Sequence, residues 1–158
     1  MARSCVGVAA LLRDFSDELA AAGAAQAGGS FTDLAPADEL IKRRPEAFLI
    51  GVLFTQGIPA ERAWAGPYLL SRRLGHFDLE RLASERGSIA RAVAEPPALH
   101  RFVRTVPGWI SSAAARVLRS YDGSAGAIWE PGTHVLEVHK RLLAFDGIGE
   151  KKAAMAVE

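Results

Sequence analysis

The chain has 158 residues, of which 49 % are hydrophobic and 23 % are charged. This length suits one ordinary domain, and this balance is typical of a globular protein rather than of a disordered chain. No apolar run approaches the roughly 20 residues that a membrane helix needs, so we expect no membrane partner. The formal net charge of +1 excludes a strong overall basic field, so any contact with nucleic acid must depend on where individual positive groups lie.

Cysteine is nearly absent, because Cys5 is the only one in the chain. A disulfide within the chain, a thiolate zinc site and an iron–sulfur site built from this chain alone are therefore excluded. Residues 5–12 weakly resemble the core of a signal peptide, but acidic residues follow closely and continue a helical pattern. The sequence predicts a cytoplasmic protein without a metal site.

The first predicted element is a helix over residues 5–25, where apolar positions repeat at helical spacing. It runs into Gly28 and Gly29, which are typical of a linker. We therefore predict that residues 1–30 form an N-terminal helix and linker belonging to a second, split domain. Residues 31–158 are predicted to form a separate helical domain.

Prolines and glycines then mark two further helices. Pro45 stands where a first helical position is expected, and residues 45–56 are apolar on nearly every side, which predicts a central buried helix. Pro59 opens the next helix, which Gly75 closes. Pro67 falls inside that helix and is expected to kink it.

The remaining elements are also predicted to be helical. Asp78 and Ser88 are predicted to cap two short helices, Pro107 precedes a helix rich in small residues, and Thr133 is predicted to cap a helix that ends at Phe145. The chain shows no sustained alternation of apolar and polar residues. The sequence thus predicts an all-α bundle of about eight to ten helices.

The segment with the most chemistry is the turn between the last two predicted helices. Gly147 and Gly149 allow a tight backbone bend, and Ile148 between them can pack into the groove between the two helices. The amides of Gly147, Gly149 and Glu150 would then point outward at the positive end of a helix. This geometry accepts a phosphate oxygen without reading a base.

The sequence around this turn, F-D-G-I-G-E-K-K-A over residues 145–153, resembles a known motif. It is similar to the L-P-G-V-G-x-K-x-A hairpin of the endonuclease III-like helix-hairpin-helix DNA glycosylases (the HhH-GPD superfamily). Asp146 replaces the common proline and places a negative charge near the expected phosphate. Residues 48–64 resemble the early helix-turn-helix of the same superfamily, in which an apolar helix ends in a glutamine, here Gln56. Residues 111–123 resemble the helix that precedes the hairpin.

The resemblance implies an all-α bundle or barrel of the helix-hairpin-helix glycosylase type and a role in base excision repair. The expected partner is double-stranded DNA with a damaged base or an abasic site, and the expected location is cytoplasmic and nucleoid-associated. Gln56 would fill the gap left by the extruded base. The DNA-binding residues would be Gln56, Gly147, Ile148, Gly149, Glu150 and Lys152.

The resemblance also assigns a nucleophile. Lys151 matches the family lysine that attacks C1′ of the sugar in members with AP-lyase activity, and Lys152 is its backup. The positive end of the helix and the neighbouring cation should both disfavour the charged form of Lys151. A simpler interpretation, from the residues alone, makes both lysines solvated contacts to phosphate.

The helical pattern that starts near Glu150 has no stop signal before Glu158, which predicts that it continues. The resemblance places the catalytic aspartate beyond Glu158, together with any cysteines for a 4Fe–4S cluster. This chain alone is therefore expected to lack excision activity, and the following segment is expected to pack on the N-terminal helix. Two alternatives stay open: a non-catalytic module that binds the DNA backbone, and a helical interaction domain indifferent to nucleic acid.

Other polar and aromatic residues receive structural interpretations. Arg101 and Arg104 are predicted to share a helix face that contacts solvent or phosphate. The four histidines lack metal-ligand spacing, and the three tryptophans suit the core; these residues are His76, His100, His134, His139, Trp64, Trp109 and Trp129. The likeness favours an oxidised pyrimidine as the lesion, with mispaired, alkylated and oxidised purine bases left open.

Overall fold

The computed structural model describes residues 30–158, of which residues 31–158 form one compact unit. This part of the chain contains eight α-helices and one 3-10 helix and no strand, which confirms the all-α prediction. The helix predicted over residues 5–25 lies outside the described residues. The helices are α1 (Ala35–Arg43), α2 (Pro45–Phe54), α3 (Ala60–Leu74), α4 (Leu79–Ser84), α5 (Arg86–Ala94), α6 (Val106–Ser120), the 3-10 helix (Ala125–Trp129), α7 (Val135–Leu143) and α8 (Glu150–Val157).

Helix α2 is the centre of the unit. It begins at Pro45, as predicted, and every residue from Glu46 to Phe54 except Phe48 is buried. A helix that is apolar on all sides must be covered on all sides, and α2 packs against α1, α3, α6, the 3-10 helix and α8. The prediction of a central buried helix is therefore confirmed.

Glycine allows α2 and α3 to approach closely. A Cβ atom at Gly51 would lie 2.5 Å from Cε3 of Trp64, and one at Gly66 would lie 2.6 Å from Cδ1 of Phe54. Neither site has room for a side chain. Pro67, next to Gly66, lies inside α3, which continues to Leu74.

Two predicted helix boundaries are confirmed. Gly75 ends α3 in the left-handed conformation, with φ of +76°. The Asp78 carboxylate accepts a hydrogen bond of 2.9 Å from the backbone N–H of Arg81 and so caps α4. A glycine that adopts the left-handed conformation and an aspartate that caps the first turn therefore determine these two helix ends.

Two predicted caps are wrong. Helix α5 begins at Arg86, so Ser88 lies inside its first turn and does not precede it. Helix α7 is capped by His134 rather than by Thr133, because Nδ1 of His134 accepts a hydrogen bond of 3.2 Å from the N–H of Leu136. In both cases a neighbouring residue starts the helix earlier or later than the serine or threonine that the pattern favoured.

Helices α7 and α8 pack against each other, and α8 also packs against α2. The turn between α7 and α8 therefore lies on the same side of the unit as one part of the central helix. The tryptophans that were expected in the core are partly buried and pack against it: Trp64, Trp109 and Trp129. No helix of the described part is long and apolar enough to cross a membrane.

Candidate nucleic-acid interface

The turn between α7 and α8 requires a glycine at position 147. Gly147 has φ of +85°, and a Cβ there would overlap the indole ring of Trp109. Ile148 is only 4 % exposed, and its N–H donates a hydrogen bond of 3.2 Å to the carbonyl of Phe145. Packing of Trp109 against Gly147 and burial of Ile148 therefore fix the bend.

The other side of the turn faces solvent. Gly149 and Glu150 are both exposed, and no side chain of the described residues caps the amino end of α8. The first amides of a helix carry a partial positive charge and lack partners within the helix. The turn thus presents backbone donors to solvent, as a phosphate contact would need.

Asp146 is exposed beside this turn and is held in place. Its Oδ2 accepts a hydrogen bond of 2.6 Å from the hydroxyl of Ser112 on α6. The residue that departs from the family motif therefore joins the turn to α6. Its negative charge stays at the surface, next to the amides that would meet a phosphate.

A cleft of about 270 Å³ separates the turn from the carboxyl end of α2. It places Gln56, which is exposed, opposite the hairpin, although the two are far apart in sequence. The residues lining the cleft include no aspartate or glutamate. They are Thr55, Gln56, Gly57, Gly149, Lys151, Lys152 and Met155.

The two adjacent lysines have different environments. Lys151 is exposed and lines the cleft. Lys152 is only 7 % exposed, and its Nζ donates hydrogen bonds of 3.1 Å to the carbonyl of Leu53 and 2.8 Å to the carbonyl of Gly147. The same nitrogen lies 4.8 Å from the ring centroid of Trp109. Lys152 is thus turned inward, towards the protein.

Burial lowers the pKa of Lys152 to about 8 from an ordinary value of 10.5. The two carbonyl oxygens and the Trp109 ring favour the ammonium form, so they oppose this effect without cancelling it. At neutral pH the side chain still carries its proton. Lys152 therefore acts there as a buried, charged donor.

Two residues of the predicted DNA-binding set have buried side chains. Ile148 packs in the core, as predicted for the residue between the two glycines, and its N–H is bonded within the turn. Lys152 is buried, and its ammonium is bonded to backbone, so its interpretation as a solvated phosphate contact is wrong. Helical spacing contained a signal for this, because Lys152 shares the inward stripe of α8 with Ala153 and Ala156.

Sequence reasoning missed an aromatic residue beside Gln56. Phe102 is 38 % exposed, and the guanidinium of Arg101 lies 5.1 Å from its ring centroid. A Cβ at Gly57 would lie 3.6 Å from Cε2 of Phe102, so this pair sits next to the turn that carries Gln56. The predicted helix face shared by Arg101 and Arg104 is wrong, because both residues precede α6.

His100 has the structural role that was expected. Its side chain is fully buried, its Nε2 donates a hydrogen bond of 3.1 Å to the carbonyl of Phe54, and its Nδ1 accepts one of 3.0 Å from the N–H of Phe102. Both bonds together require the neutral ring with the proton on Nε2. Burial lowers the pKa of His100, and the nearby charge of Lys152 adds to this effect.

The other histidines make separate contacts in the described part of the chain. His139 lies on α7, and its Nε2 is 3.2 Å from Oε2 of Glu150, so this contact joins the two helices of the hairpin. Within residues 30–158, no group of three or more histidine, cysteine, aspartate or glutamate side chains is placed to hold a metal ion.

Comparison with known proteins gives no relative. No protein-family model, no curated protein and no solved structure matches this chain. The function therefore has to be argued from the geometry of this interface.

Proposed function

We propose that this protein is a DNA glycosylase of the helix-hairpin-helix superfamily that acts in base excision repair. In this proposal, residues 133–158 hold the backbone of a damaged duplex. One observation carries the proposal: the exposed turn at Gly149 and the exposed side chain of Gln56 line the same cleft. A turn that only connected two helices would need no polar partner from another part of the chain.

The turn suits a DNA strand because it offers uncapped backbone amides at the amino end of α8. Such amides bind phosphate oxygens of any sequence, so they position the duplex without specifying a base. Gln56 has a different task, because an amide side chain donates and accepts hydrogen bonds with base edges. It would occupy the space that the damaged base leaves when it is rotated out of the stack.

Lys151 is the proposed nucleophile, because its exposed amine lines the cleft, whereas the amine of Lys152 is bonded to two carbonyls. Attack of a neutral lysine amine on C1′ displaces the base and leaves a Schiff base that leads to strand cleavage. Excision also needs a carboxylate to stabilise the cationic sugar. The residues that line this cleft supply none.

That same lining supports a second candidate, a non-catalytic module that binds DNA backbone. Without a carboxylate, the cleft holds a strand but does not help to break a glycosidic bond. Both candidates share the phosphate contact, but only the glycosylase needs Gln56 to fill the gap in the base stack. They differ in whether Lys151 reacts with the sugar.

The binding experiment measures fluorescence anisotropy of this chain with a duplex that carries an abasic-site analogue and with the same duplex intact. We expect affinity to fall with salt at a slope of about −0.9 per phosphate contacted, and to favour the abasic duplex. Gln56→Ala should remove that preference. Lys42→Ala, a change at an exposed lysine outside the cleft, should leave it intact. Salt-independent or absent binding contradicts either DNA function, whereas equal, salt-sensitive binding to both duplexes contradicts the glycosylase and favours the binding module.

Borohydride trapping with an abasic duplex separates the two candidates. A covalent adduct that disappears in Lys151→Ala but persists in Lys42→Ala supports the glycosylase with lyase activity. Salt-sensitive binding without any adduct favours the binding module.

A further inference from the structure

We propose that Lys152 is a positioning residue whose ammonium group joins the turn carrying Gln56 to the hairpin, so that both sides of the cleft keep one fixed spacing. This inference rests on the proposed function for its effect on DNA. The link itself, between α2 and the hairpin, exists in the protein without DNA. The carrying observation is that one nitrogen donates to carbonyls on both sides: Leu53 on α2 and Gly147 in the hairpin.

The carboxyl end of α2 explains why such a donor is needed. The last carbonyls of a helix have no partner within the helix, and buried ones must find donors elsewhere. The carbonyl of Val52 accepts from Thr55, that of Leu53 from Lys152, and that of Phe54 from His100. Three separate segments therefore meet at the end of the helix that leads into Gln56.

A purely structural core residue at position 152 would be cheaper as an apolar side chain, because burying an ammonium group is costly. Lys152 offsets that cost with two carbonyl acceptors and the ring of Trp109. The ammonium group thus links two backbone segments that are far apart in sequence. A methionine of similar length would fill the space and remove the link.

The first test measures backbone amide hydrogen exchange in the 158-residue chain without DNA. The useful probes are the N–H groups of Thr55 and Ile148, since each is hydrogen-bonded within one of the two turns. We expect Lys152→Met to speed exchange at both probes by about tenfold, and Lys152→Arg to restore slow exchange. Lys151→Met, the matched control at the exposed neighbour, should change neither. Unchanged exchange in Lys152→Met overturns the inference.

The second test is a double-mutant cycle in binding to the abasic duplex. If Lys152 acts through Gln56, then Gln56→Ala should cost about fivefold in affinity in the natural chain and almost nothing in Lys152→Met. A merely structural role for Lys152 predicts equal losses in both backgrounds, and that result overturns the inference. In Lys152→Arg and in Lys42→Ala, a change outside the cleft, the loss from Gln56→Ala should persist.

The two tests separate failure of this inference from failure of the proposed function. A chain that binds no DNA but shows the expected exchange pattern keeps the link and loses the DNA function. Should Lys152→Met not fold, as judged by circular dichroism, Lys152→Gln replaces it. Glutamine keeps one donor group but is too short to reach both carbonyls, so the same faster exchange is expected, and slow exchange overturns the inference.

Discussion

The indole ring of Trp109 fills the space that a side chain on Gly147 would occupy. Trp109 lies on α6, so the bend of the hairpin is fixed by a helix outside the hairpin. The same ring faces the ammonium group of Lys152. The packing of Trp109 therefore supports the outward amides of the turn in the free protein.

Gly147→Ala should destabilise the chain by about 2–4 kcal/mol, because it combines a left-handed backbone with an overlap on Trp109. Gly149→Ala is the matched control, since its φ is −96° and a Cβ there meets nothing within 4 Å. Urea denaturation followed by circular dichroism measures both. Equal stability of the two variants would show that the bend does not depend on this packing.

Asp146→Asn should strengthen binding to duplex DNA by about two- to fivefold at low salt, because it removes a negative charge beside the proposed phosphate contact. Asparagine can still accept the hydrogen bond from Ser112, so the turn keeps its anchor. Glu80→Gln removes an equal charge from a residue that lines a different cleft and should leave affinity unchanged. The gain should vanish at high salt; a gain that salt does not reduce would contradict an electrostatic cause.

His100 should make stability depend on pH in mildly acidic solution. In the folded state the pKa of His100 is lowered below the ordinary 6.5, so the His100 ring binds a proton more tightly in the unfolded chain than in the folded one. The stabilisation is complete above pH 6.5 and declines as pH falls below it, by up to about 1.4 kcal/mol per pH unit. Denaturation midpoints between pH 7 and 5.5 measure this decline.

His100→Gln should flatten that pH dependence, because an amide donor replaces the ring without titrating. The exposed His134 supplies the control, since His134→Gln should keep the decline. A decline of equal size in His100→Gln would assign the effect to another group.

Gly66→Ala should cost about 1–3 kcal/mol, because α2 and α3 leave no room for a methyl group between Gly66 and Phe54. Gly87→Ala, in α5, meets nothing within 4 Å, so it should be neutral or slightly stabilising as a better helix former. Thermal unfolding of the two variants gives the comparison. A neutral Gly66→Ala would mean that the two helices separate without cost.

The sequence was most informative where one local rule decides the structure. Pro45 with its all-apolar helix, the left-handed Gly75 and the Asp78 cap each follow from a few neighbouring residues. The bend at Gly147 was predictable in the same way, because glycine was needed there for its backbone.

The remaining features depend on which segments meet in three dimensions. The Lys152 side chain points inward because its Nζ donates to the carbonyl of Leu53, which is 99 residues away in the chain. The exposed pair of Arg101 and Phe102 beside Gly57 likewise has no local signature. The pattern favoured Thr133 as the cap of α7, but the His134 side chain accepts the hydrogen bond from the N–H of Leu136 instead.

Gln56 lies two residues after α2, in which every residue from Glu46 to Phe54 except Phe48 is buried. Substitutions that loosen α2 should shift this glutamine even when they lie far from the surface. On heating, the proposed DNA binding and the folded core should then be lost at one temperature, with no earlier stage in which a folded protein no longer binds.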